Sequence, residues 1–560
     1  MPQIKNASEH NAQAPPDLNL PRANRDSISA LDKFSRAFHI AAMFKTFATL
    51  ACLCCAPLSL MAQPASTNVS LADVQSRLTA QVNEPRFDAA MWGVKVVSLD
   101  SKKTLFEHNA AKLFSPASNC KLYTMALALD QLGGDYRIKT SLYAKSKPDK
   151  NGVLRGDLIV YGRGDPNINA RLNGGDIFRA LQPLVTALTN ASVRRITGDL
   201  VGDESFIVGP PYGSGWAWDD MNYYYGAELS ALTINDNTLR VTARPGGKIG
   251  DACFLSVTPG TSFVVLNNRT RTIAAGGKRD ISFYRPIEQN VIYVTGTMPL
   301  GETNYSDEVT VHDPARLFVT WFKEALLRNG VKVGGGVRAE NWLDRQVRPM
   351  NLAKLTELGA VESLTMREIN REVQKPSQNL YTDLMLAHVG ALTANRSKEN
   401  DSTNATETVI GMTSSEDLGV IELEKFLKKI GVKRGDVKFE EGSGLSRNNL
   451  VTPNATVTLL EYMSRHAEAE SYLKALPIAG VDGSLRNRMK KTRAEGNVHA
   501  KTGTLRWANA LSGYVTTTAG ERLAFCLMLN RYAAPGDEYS ARVELDKMAV
   551  MLAELGERTN

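Results

Sequence analysis

The chain has 560 residues, of which 66 are Lys or Arg and 59 are Asp or Glu, so its formal net charge at pH 7 is +7. A surplus this small, with no concentrated basic patch, gives no reason to expect a nucleic-acid partner. With 43% hydrophobic and 22% charged residues, the composition is that of a globular protein and excludes an intrinsically disordered chain. The length predicts about three or four structural domains.

An apolar run near the N-terminus has the outline of a secretory signal. From Met43, one Lys is followed by about fifteen mostly apolar residues and then by small residues ending near Ala62. We predict a signal peptide over 43–62, preceded by a mostly polar extension over 1–42 that makes Met43 an alternative start. An uncleaved membrane anchor is the weaker interpretation, because the run is shorter than the ~20 residues of a membrane span. No later segment reaches about 18 uninterrupted apolar residues, so we expect no stable transmembrane segment after signal cleavage.

The first elements predicted after the signal are a helix, a β-hairpin and a second helix. Apolar residues at helical spacing predict a helix over Leu71–Val82. Alternating residues predict strands at Trp92–Leu99 and Thr104–Glu107, joined as an antiparallel hairpin. A Ser-Pro entry, a run of helix formers and a Gly-Gly stop predict a helix over Leu113–Leu132.

From about Tyr136 to Arg345 the sequence changes to short strands punctuated by Gly, Pro and Asn, with one amphipathic helix at Ala315–Asn329. Several alternating strand candidates lie within Pro245–Glu302. We therefore predict an insertion over 141–345 that contains a small β unit at about 245–302.

Helical periodicity returns at 360–396, so the part of the chain that encloses the insertion is discontinuous, with pieces at 63–140 and 346–560. The remaining predicted helices are Asp417–Ile430, Ala455–Glu468 and Tyr539–Leu555, and the predicted strands are Val498–Leu505, Leu511–Thr517 and Leu523–Leu529.

The sequence lacks the signatures of metal- and nucleotide-dependent enzymes. Its seven histidines form no HExxH or other tight ligand spacing, and neither a strand-linked GxGxxG nor a GxxxxGK[ST] occurs. Three of the six cysteines lie in the apolar run, and the scattered Cys120, Cys253 and Cys526 make neither a disulfide framework nor a CxxC site. We expect no metal and no cofactor. No GxSxG is present, and a Ser-His-Asp triad stays open because its members can lie far apart in sequence.

Ser118 and Lys121 form an SxxK motif at the start of the second predicted helix. Positions i and i+3 share one helix face, so the amine can sit beside the hydroxyl and act as its base. Burial would lower the pKa of the Lys amine and favour its neutral form. A second SxxK at Ser471 and Lys474 shows that the spacing alone is weak. Context favours Ser118, which follows a hairpin and a Pro-containing turn where a helix N-terminus could face a cleft.

Two further motifs offer hydrogen-bond donors and a positive charge. Lys501-Thr-Gly-Thr504 precedes a strand hairpin, and a Gly in a strand lets another chain or a ligand approach the backbone closely. SxN occurs four times, and we choose Ser377 with Asn379 because the motif separates two helical stretches and a turn there could project into a cleft. The other three begin at Ser66, Ser402 and Ser446.

In their order along the chain, SxxK, SxN and KTG resemble the signature of penicillin-binding proteins and serine β-lactamases. More narrowly, the sequence resembles the D-alanyl-D-alanine carboxypeptidase/endopeptidase family, the class C low-molecular-mass penicillin-binding proteins, over essentially everything after the predicted signal. The segments that carry the resemblance are SPASNCKLYT (115–124), GRGDPNI (162–168), WDDMNYYYGAELSALTINDN (218–237), SQNLYTDLML (377–386), EGSGLSRNNLVTP (441–453), GVDGSLRNRM (480–489) and HAKTGTL (499–505).

The resemblance implies an α+β multidomain fold: a serine β-lactamase or transpeptidase-like α/β/α catalytic domain with two inserted, mainly β domains. It also implies a periplasmic serine DD-peptidase that cleaves peptidoglycan stem peptides and cross-links through an acyl-enzyme on Ser118, without a metal. Lys121 would accept the Ser118 proton, Ser377 would relay a proton toward the leaving amine, and Lys501 would support the site electrostatically.

The same resemblance implies a set of substrate-binding residues. Asn379 would hold the substrate amide, and Thr502 and Thr504, with Gly503 between them, would bind the terminal carboxylate. The backbone N–H groups of Ser118 and Thr504 would form the oxyanion hole.

Three more residues are carried over from the resemblance. Asp220 is similar to the acidic residue with which the family reads the free amine of a diaminopimelate stem, with Tyr225 alongside, and Arg447 could pair with the carboxylate of that stem. A loop-capping Asp and a structural Arg are the alternatives. The sequence departs from the usual pattern at Pro376-Ser-Gln and at Arg506, which puts only the substrate preference in doubt.

The partners implied are peptidoglycan peptides and β-lactam antibiotics, and a homodimer is left open. A β-lactamase or esterase of the same fold is the competing enzyme, opposed by Ser377 in the middle motif and by the long insertion. A non-catalytic envelope scaffold is the competing non-enzyme, opposed by three chemically complete motifs.

Overall fold

The computed structural model describes residues 69–400 and 413–559. The predicted extension 1–42 and signal peptide 43–62 lie outside these residues. Within them, no helix is both long enough and apolar enough to cross a bilayer. The α-helices are α1 Leu71–Val82, α2 Cys120–Leu132, α3 Ile177–Asn190, α4 Pro314–Arg328, α5 Trp342–Val347, α6 Met366–Gln374, α7 Asn379–Asn400, α8 Ser415–Lys429, α9 Pro453–Met463, α10 Ala469–Ala475 and α11 Ala541–Ala553.

The strands are β1 Met91–Ser98, β2 Thr104–His108, β3 Lys139–Ala144, β4 Val153–Leu154, β5 Leu158–Tyr161, β6 Arg195–Ile196, β7 Leu200–Asp203, β8 Thr238–Arg244, β9 Phe254–Thr258, β10 Val265–Ile273, β11 Asp280–Tyr284, β12 Val291–Pro299, β13 Tyr305–Thr310, β14 Lys332–Val333, β15 Val337–Glu340, β16 Thr356–Glu362, β17 Val437–Lys438, β18 Leu450–Val451, β19 His499–Leu505, β20 Ala508–Thr516 and β21 Arg522–Asn530.

The main sheet is antiparallel, with the strand order β19-β20-β21-β1-β2, and it joins strands from before and after the insertion. Both of its faces are buried, because alternate residues of a strand point to opposite sides. In β21, Phe525 and Leu527 pack with α1 and α11, whereas Cys526 and Met528 pack with α2 and α9. The result is a three-layer α/β/α arrangement, with β19 at one edge.

The second helix begins later than the sequence predicts. A 3-10 turn at Ala117–Asn119 leads into α2, and Phe114 instead forms an isolated bridge with Val451. The predicted start at Leu113 is wrong: Ser115 precedes Pro116, and a residue before a proline is sterically disfavoured in the helical region. The N-terminus of α2 is thereby delivered beside the sheet edge.

The middle of the chain forms a second five-stranded sheet, β15-β7-β5-β3-β16, on which α3 and α4 pack. Sequence analysis predicted α4 but missed α3, whose apolar stripe is interrupted by Pro183. Pro normally breaks a helix because it lacks an N–H donor. Here Pro183 is exposed, while residues such as Leu184 and Leu188 keep the helix buried.

Two three-stranded sheets, β13-β8-β9 and β10-β12-β11, occupy 238–310 and contain the predicted β unit. Because β16 pairs with β3, we propose that the insertion extends to about 362 and not only to the predicted 345. The other predicted domain boundaries stay predictions.

Candidate active site

Ser118 lies half-buried in the 3-10 turn that precedes α2, at the point where the helix meets the edge strand β19. The turn is tight: Ala117 has a φ of 47°, in the left-handed region that non-glycine residues rarely adopt. Gly444, with a φ of 87°, packs its backbone against the Ala117 carbonyl, where a side chain would not fit. This packing presents Ser118 to the cleft.

Lys121 is fully buried, and its ammonium group has three acceptors. Nζ lies 2.9 Å from Ser118 Oγ, 2.7 Å from Asn379 Oδ1 and 2.6 Å from the Ser443 carbonyl oxygen. Burial lowers the pKa of Lys121 to about 8, against the opposing effect of the buried Asp383 and Glu441 carboxyl groups. A substantial fraction of the amine is therefore neutral near physiological pH, beside the Ser118 hydroxyl.

Lys501 and Ser377 form a second serine–lysine pair in the same cleft. Lys501 Nζ donates to Ser377 Oγ at 2.7 Å and to the Thr502 carbonyl at 2.9 Å. Burial, aided by the positive charge of Lys121, holds the pKa of Lys501 well below its usual value. Asn379 links Lys121 to the inserted segment, because its Oδ1 accepts from Lys121 Nζ and its Nδ2 donates to the Tyr225 carbonyl at 2.9 Å.

Gly503 explains how β19 comes so close to the Ser118 turn. A Cβ at this position would clash with the Pro116 carbonyl oxygen and lie 3.3 Å from the Ala117 Cβ. Thr504 is exposed, and the Thr502 hydroxyl is hydrogen-bonded to Ser484 Oγ at 2.7 Å. Gly503 thus lets the β19 backbone come close to the Ser118 turn, and Thr502 and Thr504 each contribute a hydroxyl group.

Asp220, Arg447 and Arg506 form a charged group at the rim. Burial and the neighbouring Asp219 raise the pKa of Asp220, and the guanidinium groups of Arg447 and Arg506 oppose that rise. Arg447 Nη1 donates to the Arg506 carbonyl at 3.0 Å, and both Arg residues are exposed. One carboxyl group and two guanidinium groups are thus available to bind a ligand that carries both an ammonium group and a carboxylate.

Tyr225, which the family resemblance places alongside Asp220, lies in a cluster of three tyrosines and contacts Asn379 through its backbone. Its ring stacks on Tyr223 at 5.4 Å and packs edge-on against Tyr224, and its carbonyl is what reaches Asn379. Burial, and then the negative charge of Asp220, raise the pKa of the Tyr225 hydroxyl. The side chain still lies close enough to Asp220 to sense that charge.

Sequence analysis missed the loop that supports Lys121. The fully buried Glu441 carboxylate accepts hydrogen bonds from the Ser443 amide at 3.0 Å and the Gly444 amide at 2.7 Å, which aims the Ser443 carbonyl at Lys121. Asp383, one turn after Asn379 on α7, accepts from the Gly442 amide at 3.0 Å. These residues lie in segments that carried the family resemblance, but no local spacing marks their role.

Within 69–400 and 413–559, no group of three or more His, Cys, Asp or Glu residues could hold a metal ion. The three cysteines in these ranges are free and buried. Burial raises the pKa of Cys120, next to Lys121, well above its usual value, so its thiol is a poor rival nucleophile.

The fold and the paired serines and lysines are those of a serine-type peptidase with a penicillin-binding fold. The sequence matches the D-Ala-D-Ala carboxypeptidase 3 (S13) family over residues 74–555, and the chain belongs to this family. The predicted family, fold class and enzyme class are confirmed.

Among curated proteins, the chain is 32% identical over 518 residues to a D-alanyl-D-alanine carboxypeptidase of Actinomadura sp. (strain R39), covering 89% of this chain and 88% of the relative. It is 25% identical over 487 residues to the D-alanyl-D-alanine carboxypeptidase DacB of Haemophilus influenzae, covering 84% of this chain and 90% of that protein. Penicillin-binding protein 4 of Haemophilus influenzae has a similar solved structure, with a TM-score of 0.69 and 23% identity over 85% of this chain and 97% of that one.

Proposed function

We propose that this protein hydrolyses the terminal D-alanyl-D-alanine bond of peptidoglycan stem peptides, and the D-alanyl bond of their cross-links, through an acyl-enzyme on Ser118. The observation that carries the proposal is the convergence of two serine–lysine pairs, Ser118 with Lys121 and Ser377 with Lys501, on one cleft. The family assignment supports the substrate class.

The first step is attack by Ser118 Oγ on the carbonyl carbon of the penultimate D-alanine. Two of the three groups around Lys121 Nζ, Asn379 Oδ1 and the Ser443 carbonyl, can only accept hydrogen bonds. A neutral amine that donates to both therefore directs its lone pair at the Ser118 hydroxyl and can take its proton. The backbone N–H groups of Ser118 and Thr504 would stabilise the tetrahedral oxyanion.

Collapse of the tetrahedral intermediate breaks the C–N bond and needs a proton on the departing amine. Ser377 would relay to that nitrogen the proton that Lys121 took from Ser118, which returns Lys121 to its neutral form, while Lys501 holds the Ser377 hydroxyl through their hydrogen bond. A water molecule then attacks the ester, and the neutral Lys121 takes a proton from the water. Lys121 returns this proton to Ser118 Oγ as the C–O bond of the ester breaks, and the shortened peptide leaves.

We also propose that β-lactams acylate Ser118. Penicillin-binding protein 4 of Haemophilus influenzae has been crystallised in complex with a β-lactam. A β-lactamase or esterase is the competing outcome, and rapid turnover of the drug would identify it.

The test is release of D-alanine from a disaccharide pentapeptide and cleavage of a cross-linked dimer, each followed by chromatography of the products. Ser118→Ala should abolish both reactions. Ser471→Ala is a matched control, because Ser471 belongs to the other SxxK and is hydrogen-bonded to Glu468. Product formation by Ser118→Ala at the wild-type rate would reject Ser118 as the nucleophile, and a wild-type protein that forms neither product would favour a scaffold.

We propose a periplasmic location, which rests on the predicted signal at 43–62 and on the substrate. Fractionation of cells expressing the full chain, with N-terminal sequencing of the mature protein, tests it. A mature protein that begins near residue 63 and is released with the periplasm is the expected result, and an intact N-terminus in the cytoplasm would contradict it. The oligomeric state, left open by the sequence, stays open.

A further inference from the structure

Ser377 lies in a turn between α6 and α7 that is strained at two positions. Ser377 has a φ of 67°, in the left-handed region. Lys375 has helical angles, φ −61° and ψ −57°, although it directly precedes Pro376, which disfavours them. Conformations of this kind persist only where surrounding contacts hold them, and they cluster at functional sites. The contacts that hold this turn therefore decide where the Ser377 hydroxyl points.

The turn is held by a loop that runs from Leu476 to Ser484. Lys375 Nζ pairs with both oxygens of Asp482, at 2.8 and 2.7 Å, and donates to the Leu476 carbonyl at 2.6 Å. The Lys375 carbonyl in turn accepts from the Ser484 amide at 3.1 Å. Gly483 makes this approach possible, because a Cβ there would lie 2.7 Å from that carbonyl oxygen.

The same loop is fastened to the strand that carries Lys501. The Ala500 amide donates to the Pro477 carbonyl at 3.0 Å, and the Ala479 amide donates to the Val498 carbonyl at 2.9 Å. The Ser484 hydroxyl is hydrogen-bonded to that of Thr502 at 2.7 Å. The loop thus connects β19 to the Ser377 turn through contacts that are separate from the Ser377–Lys501 hydrogen bond.

We propose that the Lys375–Asp482 ion pair is a positioning element that holds the Ser377 hydroxyl on Lys501 for proton transfer. Lys375 is largely buried and Asp482 is partly exposed, and neither side chain reaches Ser118 or Lys121 by any hydrogen bond found in the described residues. The inference rests on the proposed role of Ser377 in the peptidase reaction.

The experiment is a double-mutant cycle of Asp482→Asn with Ser377→Ala, using D-alanine release from a synthetic stem peptide ending in D-alanyl-D-alanine. In the wild-type background, Asp482→Asn should lower kcat by about tenfold to a hundredfold, because a displacement of about 1 Å in a reacting group costs up to that much. KM should change by less than about threefold. In the Ser377→Ala background the same change should cost less than about threefold, because the hydroxyl that the pair positions is already gone.

Lys375→Met removes the other charge while keeping most of the apolar stem, and it should reproduce the loss if Asp482→Asn fails to fold. Glu470→Gln is the control, because it breaks an exposed ion pair with Lys474 on the neighbouring α10 and should leave kcat unchanged. Equal losses in the two backgrounds would overturn the inference while leaving the proposed function intact. A wild-type protein that releases no D-alanine would overturn the proposed function, and the inference with it.

Discussion

Gly503→Ala should separate the two halves of the active site without removing any catalytic group. The added methyl group would clash with the Pro116 carbonyl oxygen and lie 3.1 Å from the Ala510 Cβ and 3.3 Å from the Ala117 Cβ. Ordinary contacts between carbon atoms are about 3.5–4.0 Å, so β19 must move away from the Ser118 turn by at least about 0.5 Å. Overpacking of this kind costs about 1–3 kcal/mol of stability.

The displacement falls on the gap between Ser118 and the Thr504 amide. Because misplacement by about 1 Å can cost a hundredfold in rate, we expect acylation by benzylpenicillin to slow by about tenfold to a hundredfold. The assay is stopped-time mass spectrometry of the adduct, with thermal unfolding to show that the variant is folded. Gly260→Ala is the matched control, because a Cβ there meets no atom within 4 Å. Acylation of Gly503→Ala at the wild-type rate would refute the argument that this glycine sets the approach of β19 to Ser118.

Because burial lowers the pKa of Lys121 to about 8 and its neutral form takes the proton, the acylation rate should rise with pH and level off above about pH 8; a rate that is flat from pH 6 to 9 would contradict this. Glu441→Gln turns an amide N–H₂ donor toward the Ser443 or Gly444 amide, which is itself a donor, so one buried hydrogen bond is lost. The substitution should lower the free energy of unfolding, measured in urea, by about 2–4 kcal/mol. Glu470→Gln should leave the urea midpoint unchanged. Asp220→Ala should weaken cleavage of stem peptides with a free amine on the third residue while leaving benzylpenicillin acylation within about threefold, and equal effects on both would reject a subsite role.

The sequence predicts best what depends on near neighbours. The bounds of α1 match because a local capping box, Ser70 with Asp73, starts the helix where its apolar stripe begins. The approach of Lys121 to Ser118 likewise needs only one helical turn. In contrast, α3 was missed because a local rule about Pro183 is overridden by tertiary burial of the opposite face.

Contacts between distant segments have no such local signal. Ser377 and Lys501 are 124 residues apart in sequence, and four SxN spacings compete for the same role. Their presence in one site was predicted from the family resemblance and the chain context, and not from spacing, and their direct hydrogen bond was not predicted. The supporting contacts of Glu441 and Asp482 were not predicted. Glu441 accepts hydrogen bonds from backbone amides, and Asp482 pairs with a Lys of another segment. In the sequence, neither residue can be distinguished from an acidic residue on the surface.

Whether Ser118 is the nucleophile can be determined from the intact mass of the mature protein after brief incubation with benzylpenicillin, followed by peptide mapping. We expect a stable one-to-one adduct on the peptide that contains Ser118, and no adduct on Ser118→Ala. An unmodified protein with the drug intact, or an adduct on another residue, would contradict it. An unmodified protein with the drug destroyed would instead make this chain a β-lactamase.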